Sequence, residues 1–147
     1  MDSFEEVQSQ GGGALFKPVQ TGLEKLFDHW GVEIKKSIVL DQDCYRAELS
    51  SEYGGGEQPL YYVARIRDEF INKELPFMKN IRGLYIQKSS PIILDETRVK
   101  ENGLTAHRLF SSSEKSWEMT EPINLNPMIC LLYTSDAADE EDSVDLG

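Results

Sequence analysis

The chain has 147 residues and a formal net charge of −11, the length of one domain or part of one at about 100–200 residues per domain. Six acids and no Lys or Arg fall in residues 130–147, and without them 20 acidic residues face 15 basic ones, so the balance is that of an ordinary soluble domain and identifies no nucleic-acid or anionic-membrane partner. Two cysteines, Cys44 and Cys130, exclude a disulfide framework and a cysteine-rich zinc site, and no stretch approaches the roughly 18 apolar residues of a membrane span or the charged-then-apolar layout of a secretory leader.

In chain order, residues 1–10 have the composition of one or two helical turns with Phe4 and Val7 inward, closed by Gly11-Gly12-Gly13. Ala14, Leu15 and Phe16 make a short strand, and Pro18 holds Lys17 extended. The best-punctuated stretch is TGLEKLFDHWGVEIKKSIVLD, residues 21–41. Thr21 and Glu24 have capping-box spacing, which predicts a helix start. Leu23, Leu26, Phe27 and Trp30 fall at i, i+3, i+4 and i+7 and predict an apolar stripe facing the core, with a partner-binding face as the alternative. Gly31 predicts a left-handed stop, and the β-branched run that follows predicts a strand ending at Asp41.

Residues 44–49 alternate as a strand, and Tyr53-Gly54-Gly55-Gly56 reads as a hairpin connection. LYYVARI, residues 60–66, has strand composition after Pro59. Residues 68–75 predict a helix stopped by Pro76, and residues 84–87 and 91–94 predict short strands. Asp95 caps a short helix that Asn102-Gly103 ends, and residues 104–110 read as extended up to the Ser111-Ser112-Ser113 run. Strands separated by short helices favour α/β layers. From residue 130 the character changes: CLLYTSDAADE resembles a translated reading frame of a transposon-end adapter used in DNA library preparation, with a natural acidic tail as the alternative. The expected domain is therefore 1–129 and the expected tail 130–147.

Residues 21–41, FMKNIRGLYIQKSSPIILD in the middle, and the late RLFSSSEKSW and INLNPM together resemble the extracytoplasmic domain of ABC-transport auxiliary proteins, the group that includes the gliding-motility GldG proteins. The resemblance covers most of residues 2–128. It implies an α/β domain, flavodoxin-like or glutamine-amidotransferase-like, without catalysis. It further implies an inner-membrane parent with this domain extracytoplasmic, and partners among the permease and ATPase subunits of an ABC transporter. Against the family pattern, membrane helices are missing at both ends and a leading strand and helix are missing before Asp2, so the expectation is an incomplete layered sheet with flanking helices, soluble as written.

Few residues here carry chemistry. An amidotransferase-type enzyme needs an activated cysteine with a histidine base and an orienting carboxylate. Cys44 lacks the flanking glycines of a strained nucleophile turn, which favours a structural cysteine over a Cys44–His107 pair. His29 has no ligand partner at i+4, and Gly54–Gly56 has no following Lys-Ser or Lys-Thr to make a phosphate loop. Asp41 and Asp43 stand at a strand end, where oxygen ligands could meet a hard cation, although two acids at this spacing are also common in turns. Ser111 and Ser112 follow a strand, the position where open α/β sheets place ligand crevices. Asp41, Asp43, Ser111 and Ser112 are thus the candidate ligand-binding residues, with no cofactor, catalytic group or resident metal expected.

Overall fold

The computed structural model describes residues 4–8, 14–130 and 132. Strand β1 (Phe4–Gln8) pairs antiparallel with β2 (Ala14–Pro18). This corrects the helix expected at the N-terminus: a strand opposite β2 gives the backbone groups on its inner side partners and buries Phe4, which one or two isolated turns cannot do. The triglycine lies outside the described residues.

Helix α1 (Glu24–Trp30) begins three residues after Thr21. Half of the expected capping box is present. Glu24 Oε1 accepts from the Thr21 amide at 2.8 Å, but the Thr21 hydroxyl accepts only from the Leu23 amide, at 3.4 Å, and not from the amide of Glu24. A bond from its own backbone amide, and then those with Thr21, hold the Glu24 carboxyl below its ordinary value. Gly31 ends the helix as expected, at φ +77°, and packs so tightly that a Cβ there would lie 2.9 Å from the Asp95 carbonyl oxygen. Gly31→Ala is therefore expected to cost about 1–3 kcal/mol from backbone strain alone, with the clash added, read as a lower urea midpoint at unchanged m.

The single strand expected after Gly31 is two: β3 (Val32–Ile34) and β4 (Ile38–Asp41), interrupted at Lys35-Lys36-Ser37. They take different partners. β3 pairs with β8 (Ile92–Leu94) and β4 with β9 (Ser116–Met119). The break is tied down by Glu118, which accepts from Lys35 Nζ at 2.9 Å and from the Ser37 hydroxyl at 2.6 Å. Burial raises the Glu118 pKa, but these two donors outweigh it and leave the carboxyl below its ordinary value.

β5 (Cys44–Glu48) and the long β6 (Glu57–Arg67) form the expected hairpin across the glycine turn, and β7 (Gly83–Gln87) adds to the other edge of β6. Pro59, expected to precede the strand, lies inside it opposite Arg46. The register jumps between Cys44, which faces Ala64, and Tyr45, which faces Leu60, so residues 61–63 bulge. The bulge lets one strand serve two clusters. Tyr61 turns into the first, built on Ile38, Leu40, Met119 and Ile123, while Ala64 and Ile66 enter the second with Ile71 and Met78.

The helix expected over 68–75 is a single 3₁₀ turn at Asp68–Phe70. Long-range pairing displaces it: Ile71 bridges Phe110, and the Asn72 amide donates to the Leu109 carbonyl at 2.8 Å. Residues 104–109, expected extended, form no strand beyond that bridge at Phe110 and are exposed. Helix α2 (Glu96–Glu101) is capped as expected, Asp95 Oδ1 accepting from the Arg98 amide at 3.1 Å. The short β10 (Ile123–Asn124) pairs with β2. Most of residues 130–147 lie outside the described residues, but Cys130 is fully buried in the first cluster.

The architecture is mixed α/β, with several small sheets and few helices. Every registered strand pair among the described residues is antiparallel, so the parallel wound layer that the resemblance implied is not formed by these strands. The stripe on α1 is a further correction. No residue of the helix is buried, and Leu26 and Trp30 remain 42% and 40% exposed. Its neighbour β3 belongs to a two-stranded ribbon, too narrow to cover a helix face.

Candidate functional site

The two loops singled out by sequence meet in space. Asp41 ends β4 with no solvent exposure, and its carboxylate takes three donors: the Ser113 amide at 2.8 Å, the Ser113 hydroxyl at 2.5 Å and the Asp43 amide at 2.9 Å. Ser113, the third serine of the run, makes this join. Ser112 shares a hydrogen bond with Ser116 at 2.9 Å, and the Ser111 amide donates to the Phe70 carbonyl at 3.1 Å. The oxygens of Asp41 are thus taken up within the chain. Its companion Asp43 is half-buried and ion-pairs with Arg67. Among the described residues, no three of His, Cys, Asp and Glu converge at metal-ligand spacing.

Beside Asp43 opens a groove of about 520 Å³. Its wall is the outer face of β5–β6–β7. Arg65 and Arg67 project at a period of two from β6, Tyr85 lies opposite Arg65, and Tyr45 meets Tyr85 edge to face at 5.8 Å. Arg46 and Lys115 complete the rim, Lys115 being placed by the bond from the Gln42 amide to its carbonyl. Sequence reasoning passed over these residues. The Arg-x-Arg alternation inside a strand was the available signal, but its convergence with Arg46 and Lys115 depends on the bulge and on the Asp41–Ser113 join.

A second, larger groove of about 810 Å³ runs between α1 and β3. Its apolar lining includes Val19, Phe27, Val32 and Ile34, with Glu24, Asp28, Glu33 and Glu118 around them.

Cys44 and His107 are not assembled as a catalytic pair. Cys44 is buried with its thiol pushed up by desolvation, His107 stands on the exposed segment before Phe110, and no hydrogen bond joins them. Burial likewise pushes the Cys130 thiol up to about 11. At about pH 8, where an ordinary thiol is substantially ionised, both cysteines are expected to react with a disulfide reagent at least about tenfold more slowly in the folded chain than in denaturant.

No helix among the described residues is long and apolar enough to cross a membrane. No solved structure matches the chain. The chain is 31% identical over 109 residues to an uncharacterized protein of Borreliella burgdorferi, an overlap that covers 71% of this chain and 20% of that protein. It therefore spans about a fifth of the length of the curated relative it matches. Residues 1–144 match the family described as ABC-type uncharacterized transport system, and the chain belongs to that family.

Proposed function

We propose that the chain is a non-catalytic binding or scaffolding domain of an ABC-type transport system, extracytoplasmic in its parent protein and docking on the transporter's permease subunit. The observation that carries this reading is the uncovered apolar surface of the β3–β8 ribbon and α1. Ile92 and Leu94 lie on one face of β8 and Ile93 on the other, yet they are 67%, 41% and 45% exposed. Ile34, opposite Ile92, is also exposed, as are Leu26 and Trp30 on α1. A two-stranded ribbon with apolar side chains on both faces needs a neighbour, and an apolar surface of this extent marks an interaction site. Membership of a transport family makes the permease the fitting neighbour.

The test is a photo-reactive residue placed at Ile92 or Trp30 in the parent protein co-expressed with its cognate permease and ATPase subunits. An adduct to the permease from these positions and not from Gln58 is expected, together with loss of co-purification in Ile93→Asp. Equal labelling from all three positions, or none, would overturn the docking assignment.

Gliding-motility association rests on the GldG resemblance alone. The amidotransferase-fold hydrolase gains nothing from a buried Cys44 that makes no hydrogen bond to the exposed His107. A second reading, a small-ligand-binding domain with Asp41, Asp43, Ser111 and Ser112 at its strand-end loops, is favoured by the meeting of those loops beside the groove at Asp43. In it Asp41 fixes the loops and Asp43, paired with Arg67, borders the groove. Saturable thermal stabilisation by a member of a panel of sugars, nucleotides and peptides supports it, and a flat response defeats it.

A further inference from the structure

We propose that the groove on the outer face of β5–β6–β7 binds a small ligand bearing an oxyanion, phosphate or carboxylate, clamped by Arg46, Arg65 and Lys115 with a sugar-sized body against Tyr45 and Tyr85. The assignment rests on the small-ligand reading and gives that ligand its chemistry.

The charge distribution makes the point first. The chain carries 26 acidic residues against 15 basic ones, yet four of those cations line this one groove with a single acid, Asp43. Asp43 is engaged by Arg67. Arg46, Arg65 and Lys115 make no ion pair among the described residues, and what sets them apart is that they line one groove together. In a chain with acids in excess, unpaired cations drawn together repel one another and do nothing for folding stability. An arriving anion reverses that repulsion.

Geometry sets the class of anion. The outward face of a strand delivers guanidinium groups whose fixed forks match two oxygens of a phosphate or carboxylate, and Lys115 adds a point charge from the facing loop. The edge-to-face tyrosine pair, 47% and 57% exposed, offers a ring surface for a sugar and hydroxyls to donate to it. A volume of about 520 Å³ holds a ligand of monosaccharide to disaccharide size. The groove is fixed at both ends, by the Asp41–Ser113 join beside Lys115 and by the bulged β6 carrying Arg65.

The experiment is titration calorimetry on the full chain with four probes: inorganic phosphate, a hexose phosphate, glucuronate and glucose. Saturable binding of at least one anionic probe, weaker at high salt, with none by glucose, is expected. Arg46→Ala combined with Arg65→Ala is expected to weaken that binding at least tenfold, with an unchanged circular dichroism spectrum. Should the double variant not fold, Arg65→Lys, which keeps the charge and loses the fork, is expected to weaken phosphate binding severalfold. Binding of glucose as tight as that of its phosphate, or anion binding that neither variant alters, overturns the anion assignment and leaves the small-ligand reading standing. Absence of saturable binding by all four probes overturns the anion assignment, and the small-ligand reading is then decided separately by the wider panel.

Discussion

Asp41→Ala is expected to destabilise the chain by about 3–5 kcal/mol, among the largest effects of any single polar substitution, because three donors lose their acceptor at once. The Ser113 amide, the Ser113 hydroxyl and the Asp43 amide all converge on this one fully buried carboxylate. None of the three can turn to water without opening the junction of the two loops, so each would bear part of its desolvation penalty. Asp41→Asn keeps the shape and one acceptor oxygen, and is expected to cost less, about 1–3 kcal/mol. The contrast is Asp43→Ala, which breaks a half-exposed ion pair with Arg67 and is expected to cost no more than about 1 kcal/mol. Urea denaturation followed by circular dichroism measures all three. An Asp41→Ala midpoint indistinguishable from that of Asp43→Ala would show that the junction does not hold the loops. The same variant bears on the anion groove, since the loop that carries Lys115 is anchored through Ser113.

How much of this was legible in the sequence follows the range of the interaction involved. Gly31, the Asp95 cap and the hairpin across Gly54–Gly56 are fixed by contacts within a few residues, and each was readable from residue chemistry alone. The failures share the opposite property. Residues 68–75 have helical composition, but the amide of Asn72 and the backbone of Ile71 find partners nearly forty residues away at Leu109 and Phe110. β3 and β4 likewise pair with strands far along the chain, β8 and β9, which no local pattern encodes. The N-terminal residues are the exception, since their partner β2 is the next segment and their short apolar pattern fits a turn of helix as well as a strand. In the candidate site, the acids at 41 and 43 and the serine run were visible as loop chemistry. That the third serine seals the carboxylate of Asp41, and that four cations gather beside it, depends on strand register. A one-residue slip in β6 would turn Arg65 and Arg67 to the other face.

The second large effect follows from where the apolar groups ended up. Leu40→Ala is expected to cost about 3–5 kcal/mol, whereas Leu26→Ala, the same chemical change fourteen residues earlier, is expected to cost less than about 1 kcal/mol. Leu40 is fully buried in the first cluster, on a strand that pairs with β9 through the register Leu40–Trp117. Removing its side chain leaves a cavity among groups held by two sheets, which can collapse little. Leu26 is 42% exposed on a helix with no buried residue, so its truncation removes contacts that water already shares. Sequence alone does not separate the two, since Leu26 falls on the apolar stripe of the helix and Leu40 in the apolar run of the strand that follows. A measured loss for Leu26→Ala in the isolated chain as large as that for Leu40→Ala would mean that the α1 stripe is covered in solution and that the docking face does not exist. If instead the gap holds in the isolated chain and narrows when the parent protein is bound to its permease, the exposed stripe is the surface that the partner covers, and Leu26 belongs to binding where Leu40 belongs to folding.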